Sequence, residues 1–158
     1  PPASLQPGME SLGFQAPAEP LRIIDFTLPD LQGTPRSLAS FAGQVVFLNF
    51  WATWCPPCRA EMPSMESLHR ALGSAGLVVL AVNSQEPPEE VRRFVETGGF
   101  SFPVLLDQSG QVGLSYAVRA IPTTYLVGRD GYILGRMTGG RDWYTAETLA
   151  VLRRVLGP

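Results

Sequence analysis

Val45-Val46-Phe47-Leu48-Asn49-Phe50-Trp51-Ala52-Thr53-Trp54-Cys55-Pro56-Pro57-Cys58-Arg59-Ala60-Glu61-Met62-Pro63 decides how this chain is read. The first seven residues form an apolar run rich in β-branched and aromatic side chains, the pattern of a strand buried on both faces of a sheet. Pro56 and Pro57 then suit the first turn of a helix, where backbone N–H groups have no intrahelical partner in any case. The strand-to-helix junction therefore carries Cys55 and Cys58, the chain's only two cysteines. A helix N-terminus is where a thiolate is best stabilised.

That placement divides the labour between the sulfurs. The two prolines remove two N–H donors, which leaves the N–H and thiol of Cys58 as the local partners of Cys55. Cys55 is expected to have a lowered pKa and to be the attacking nucleophile. Cys58, one turn further in, is expected to be less exposed and to resolve a mixed disulfide between Cys55 and a client. A purely structural crosslink is the plain alternative. A loop this short constrains the unfolded chain little, on the order of 2 kcal/mol before strain. A zinc site is a second alternative, but it needs four ligands, and the chain offers two cysteines and one histidine. Trp54 is expected to be partly exposed as a wall of the client groove, and Trp51 to sit in the core.

With 158 residues, 45% of them hydrophobic, the chain suits one domain with a full core. A net charge of −2 and scattered arginines, with no lysine at all, argue against a nucleic-acid partner. No window is long and apolar enough to cross a bilayer. The chain begins with Pro1-Pro2, so an upstream signal peptide or membrane anchor, or simple trimming, is expected to have been removed.

Residues 1–20 hold five prolines and little periodicity, and read as an extended leader or tether, with docking through Met9, Leu12 and Phe14 as the alternative. The domain is expected over 21–158. Residues 22–28 and 35–38 read as a hairpin, 37–42 as a helical turn, and 56–72 as a helix that Pro63 should kink. His69 is read as a solvated surface histidine. Strands follow at 76–82 and 102–106, with helices at about 87–98 and 111–117. A hairpin built from 121–127 and 132–137 and a helix at 145–156 complete the chain. This order predicts an α/β fold, a mixed sheet with helical cover on both sides.

Trp51-Ala52-Thr53-Trp54-Cys55-Pro56-Pro57-Cys58, with Ile121-Pro122-Thr123-Thr124 far downstream, resembles the thioredoxin superfamily. Within it the chain is similar to the extracytoplasmic thiol–disulfide reductases of the TlpA/ResA type. The opening Asp25-Phe26-Thr27-Leu28-Pro29-Asp30 and the acid at Glu61 match that group too. The resemblance implies a thioredoxin-like sheet with an added N-terminal hairpin. It implies that Pro122 is cis and packs beside the disulfide, exposing the Ile121 backbone to a client strand; a trans proline at a sheet edge is the alternative. Trp54, Pro56, Pro57, Ile121 and Pro122 would then meet the client. Thioredoxins usually carry a buried aspartate where this chain has Asn49. The resemblance assigns the tuning of the cysteines, and the proton of Cys58, to Glu61 instead; the alternative is an ordinary exposed glutamate.

The resemblance further implies a reductase of protein disulfides, with apocytochrome c thiols or copper-site cysteines among its clients. Its electrons would come from a membrane thiol transporter of the DsbD/CcdA kind. No diffusible cofactor is implied, since the Cys55–Cys58 pair carries both electrons. A periplasmic or extracytoplasmic, tethered monomer is expected. Two competing functions fit less well. A peroxide-reducing redoxin should show Pro-x-x-x-Thr/Ser-x-x-Cys, whereas Phe50 and Thr53 precede Cys55 here. A copper chaperone resembling the Sco proteins should show Cys-x-x-x-Cys with a distant histidine. The direction of electron flow is not readable from these residues.

Overall fold

The computed structural model describes residues 6–158. Strand β3 (Val45–Trp51) is its centre and is buried along its whole length. It pairs in parallel with β4 (Leu77–Ser84) and antiparallel with β6 (Thr123–Val127). Outside these lie β5 (Val104–Asp107), parallel to β4, and β7 (Ile133–Thr138), antiparallel to β6, giving the order β5-β4-β3-β6-β7. A separate antiparallel hairpin, β1 (Thr27–Pro29) with β2 (Pro35–Ser37), comes first. Asp30 bridges it to Leu105, so the hairpin covers the edge that β5 would otherwise leave open.

Strand alternation splits the core in two. Val45, Phe47 and Trp51 point to one face, against Met62, Met65, Leu68 and Leu72 of α2 (Pro56–Leu72). The same layer holds Val91 and Val95 of α3 (Pro88–Gly98) and Val151, Leu152 and Leu156 of α5 (Ala146–Leu156). Val46, Leu48 and Phe50 point the other way. There a 3₁₀ turn (Leu38–Phe41), the short α4 (Gln111–Ser115) and the hairpin supply the cover. The sheet is flanked on both sides as expected, but the three long helices share one side.

The expected leader departs most from its reading. Residues 1–5 lie outside the described residues. Gln6–Ser11 form a helix, α1, and Met9, Leu12 and Phe14 are as buried as the central strand, so the docked alternative applies. Gln15 then adds a bridge to Arg136 at the β7 edge. Gly135 makes room for this: a Cβ there would stand 2.8 Å from the Cβ of Phe14. Three apolar residues in six are enough to seat a segment when a groove between a sheet edge and a helix awaits them. Proline content alone concealed this.

His69 needs a second correction. It is half-buried, edge-on to Phe102, and burial holds its pKa below the usual histidine value. Pro63 sits inside α2, which continues to Leu72 although Pro63 offers no N–H to the Arg59 carbonyl.

Candidate active site

Cys55 is the N-cap of α2: its backbone is extended, and its sulfur accepts the N–H of Cys58 at 3.4 Å. Pro56 and Pro57 follow as the first helical residues and are exposed. Cys55 and Cys58 are joined in a disulfide, with Cα atoms 5.2 Å apart. Cys55 is 3% exposed and Cys58 0%, so the outer sulfur borders solvent and the inner one is sealed.

The Ile121–Pro122 bond is cis, and the Ile121 carbonyl oxygen lies 3.6 Å from the Cys55 sulfur. Two residues 66 positions apart in sequence thus meet because β6 runs beside β3. Trp54 is 68% exposed, whereas Trp51 is fully buried against Phe94. A groove of about 600 Å³ opens over the outer sulfur. Trp54, Cys55, Pro56 and Pro57 line one side, and Leu114, Arg119 and Ile121 line the other. Leu114 is 71% exposed, so the groove has a large apolar residue on each rim. All the expected client-facing residues except Pro122 line this groove; Pro122 is buried and does not line it.

Glu61 is not an exposed first-turn acid: it is 2% exposed. Asn49 Nδ2 donates to its Oε1 at 2.9 Å, and Trp143 Nε1 donates to Oε2 at 2.8 Å. The backbone N–H of Arg141 reaches Oε2 at 3.3 Å. Burial is the largest influence on Glu61 and raises its pKa above the usual carboxylate range, though all three donors pull the other way. Asn49 also donates to Thr124 Oγ1 at 3.0 Å, tying β3 to β6 beneath the disulfide. Its Oδ1 has no partner among the described residues. A second groove, of about 530 Å³, shares Pro57 with the first and is lined also by Glu61, Ser64, Gly140, Arg141 and Tyr144. A Cβ on Gly140 would come within 3.0 Å of the Pro57 carbonyl oxygen, so only glycine leaves this approach open.

Sequence reasoning did not single out Glu86. Its carboxylate accepts the Thr53 N–H at 2.7 Å, the Thr53 hydroxyl at 2.5 Å and Asn83 Nδ2 at 2.8 Å. Glu86 is 8% exposed and braces the turn that presents Trp54 and Cys55. It follows a strand in an ordinary loop, and nothing in its spacing flags it. Trp143 and Arg141 were missed for a similar reason, since they lie in an irregular segment between β7 and α5. Asn49 did carry a signal, as the one amide in an otherwise apolar strand.

Residues 21–135 match the AhpC/TSA family. Among curated proteins, the thiol–disulfide oxidoreductase ResA of Halalkalibacterium halodurans is 44% identical over 117 residues, which cover 74% of this chain and 66% of that protein. The ResA of Bacillus thuringiensis strain Al Hakam is 35% identical over 131 residues, covering 80% of this chain and 76% of the relative. Among solved structures, a thiol:disulfide interchange protein of the thioredoxin family from Chlorobium tepidum superposes with a TM-score of 0.77 at 28% identity, covering 90% of this chain and all of that one. The match thus spans just under two thirds of the first of these relatives. The chain belongs to the AhpC/TSA family, among its thioredoxin-like thiol–disulfide oxidoreductases of the ResA kind.

Proposed function

We propose that this protein reduces disulfides of protein clients outside the cytoplasm. The observation that carries the reading is the Cys55 sulfur at the floor of an apolar-rimmed groove, 3.6 Å from the Ile121 carbonyl, with Cys58 sealed behind it. A client strand lies in the groove and pairs with the backbone at Ile121. The Cys55 thiolate attacks one sulfur of the client disulfide. A bond forms between Cys55 and that sulfur, and the other client sulfur leaves as a thiolate. The Cys58 thiol then gives its proton to the Glu61 carboxylate and attacks the Cys55 sulfur. This closes Cys55–Cys58 and releases the second client thiolate. Two electrons pass to the client, which takes up two protons, one from Glu61 and one from water. Glu61 suits the step because its raised pKa brings proton exchange nearer neutrality.

Trp54, Pro56, Pro57, Ile121 and Pro122 form the client-facing surface in this reading. In this reading the site of action is extracytoplasmic, and cytochrome c or oxidase-assembly cysteines are the clients. A membrane thiol transporter of the DsbD/CcdA kind would return Cys55–Cys58 to the dithiol. The cysteine pair carries the electrons without a diffusible cofactor, and the protein acts as a monomer. The reduction potential of the Cys55–Cys58 couple, measured against glutathione or dithiothreitol buffers, tests the direction. A value near that of thioredoxin, about −270 mV, supports a reductase; one near −120 mV contradicts it.

A further inference from the structure

Two of the three donors to Glu61 belong neither to its own helix nor to the segment matched by the family. Both donors to Oε2, the Arg141 N–H and the Trp143 indole, come from the β7–α5 connection. That connection is irregular and has a wide groove along one side, so something else must fix it. Trp143 is pinned by three contacts. Its backbone N–H donates to Ser64 Oγ at 2.9 Å, Phe47 meets its ring edge-on at 4.9 Å, and Phe14 packs on it with ring centres 5.6 Å apart. The Arg141 guanidinium donates to the Leu12 carbonyl at 2.7 Å and lies over the Trp143 ring at 5.5 Å. Phe14 and Leu12 are 2% and 0% exposed. The segment carrying them is itself anchored by Ser11, which donates to Glu147 at 2.6 Å, and by Gln15 at the β7 edge.

We propose that the docked N-terminal segment, through Leu12 and Phe14, is a positioning device for Glu61. It clamps Arg141 and Trp143 so that both keep their N–H groups on the carboxylate. The inference deepens the role given to Glu61 above and rests on it. The clamp acts through donors and not through charge. The titratable and charged side chains around Glu61 are Cys58 on its own helix and Arg141, Asp142 and Tyr144 along the second groove; the sheet beneath contributes the neutral Asn49 and Thr124, and the docked segment's one charged residue, Glu10, is exposed. Among the described residues, none of those charged side chains hydrogen-bonds to the carboxylate. Against the burial that dominates, the indole, the amide and the backbone N–H are therefore what supports the ionised form of Glu61. Releasing either donor to Oε2 removes support for the ionised form.

The test is the titration of the Glu61 side-chain carboxyl, followed by carbon-13 NMR in the oxidised protein and assigned with Glu61→Gln. Arg141→Met removes the link to Leu12 but keeps the backbone N–H, and Phe14→Ala removes the ring behind Trp143. Phe14→Leu is the conservative partner, and Leu105→Ala, on the opposite face of the sheet, controls for lost stability. The proposal expects the Glu61 midpoint to move up in R141M and F14A and to stay near wild type in F14L and L105A. A midpoint that stays put or falls in both R141M and F14A overturns it, as does an equal rise in L105A. Should F14A fail to fold, R141M against L105A decides. If E61Q reduces a client disulfide at the wild-type rate at every pH, the proton-carrying role of Glu61 fails instead, and the titration still judges the clamp.

Discussion

Glu61 and Glu66 are both buried on α2, against different elements, and are pushed in opposite directions. Burial dominates at Glu61 and raises its pKa. Its protonated form is favoured by folding, so stability declines as pH rises from the ordinary carboxylate range through the raised folded value. Glu61→Gln should therefore stabilise the protein at neutral pH, with the gain vanishing in acid, as urea melts at several pH values will show. Burial also opposes ionisation of Glu66, but Ser101, Arg70 and the N–H groups of Ser101 and Phe102 outweigh it, and its pKa lies below the usual value. Its contribution is present above the ordinary carboxylate range and is lost as pH falls through the lowered folded value. Glu66→Gln should cost about 1–3 kcal/mol at neutral pH, shrinking in acid. A cost unchanged across that range would contradict the assignment. The sulfurs, Trp54 and the pairing of Ile121 with Pro122 were legible because each is marked by residue type. The surroundings of Glu61 were not, because they depend on donors 82 residues away in sequence.

At the level of elements, the site is a junction where the end of β3, the start of α2 and the start of β6 converge. Helix α2, β4, α3 and the final hairpin could be read almost residue by residue, since their apolar spacing and proline or glycine punctuation agree with the fold. Residues 22–28 were less legible: Arg22 makes only an isolated bridge, and the regular strand begins at Thr27. The turn from Trp51 to Cys55 is held by Glu86 from the end of β4. Glu86→Ala leaves the Thr53 N–H and the Asn83 amide without their acceptor, a cost of about 1–3 kcal/mol. It should also slow reduction of a client disulfide, because Trp54 and Cys55 lose their fixed presentation. A variant as stable and as fast as wild type would show that the turn stands alone.

Across the whole molecule, the N-terminal segment completes the core and is no appendage. Phe14 is packed among Met9, Trp143 and Gly135 in the larger layer. Phe14→Ala should cost about 3–5 kcal/mol in a urea melt, the range for a buried aromatic. A loss below about 1 kcal/mol would mean that the segment undocks freely. The prolines around it obscured this in the sequence, since composition reports on flexibility while three spaced apolar residues report on burial.

The central claim is that Cys55 is the sulfur that meets the client and Cys58 the one that releases it. Mass spectrometry of the covalent adducts left after mixing a disulfide-containing protein with C58S or C55S tests this most directly. C58S should accumulate a mixed disulfide through Cys55, while C55S, with its remaining thiol sealed, should accumulate none. Equal trapping by both variants, or trapping by C55S alone, would contradict the account.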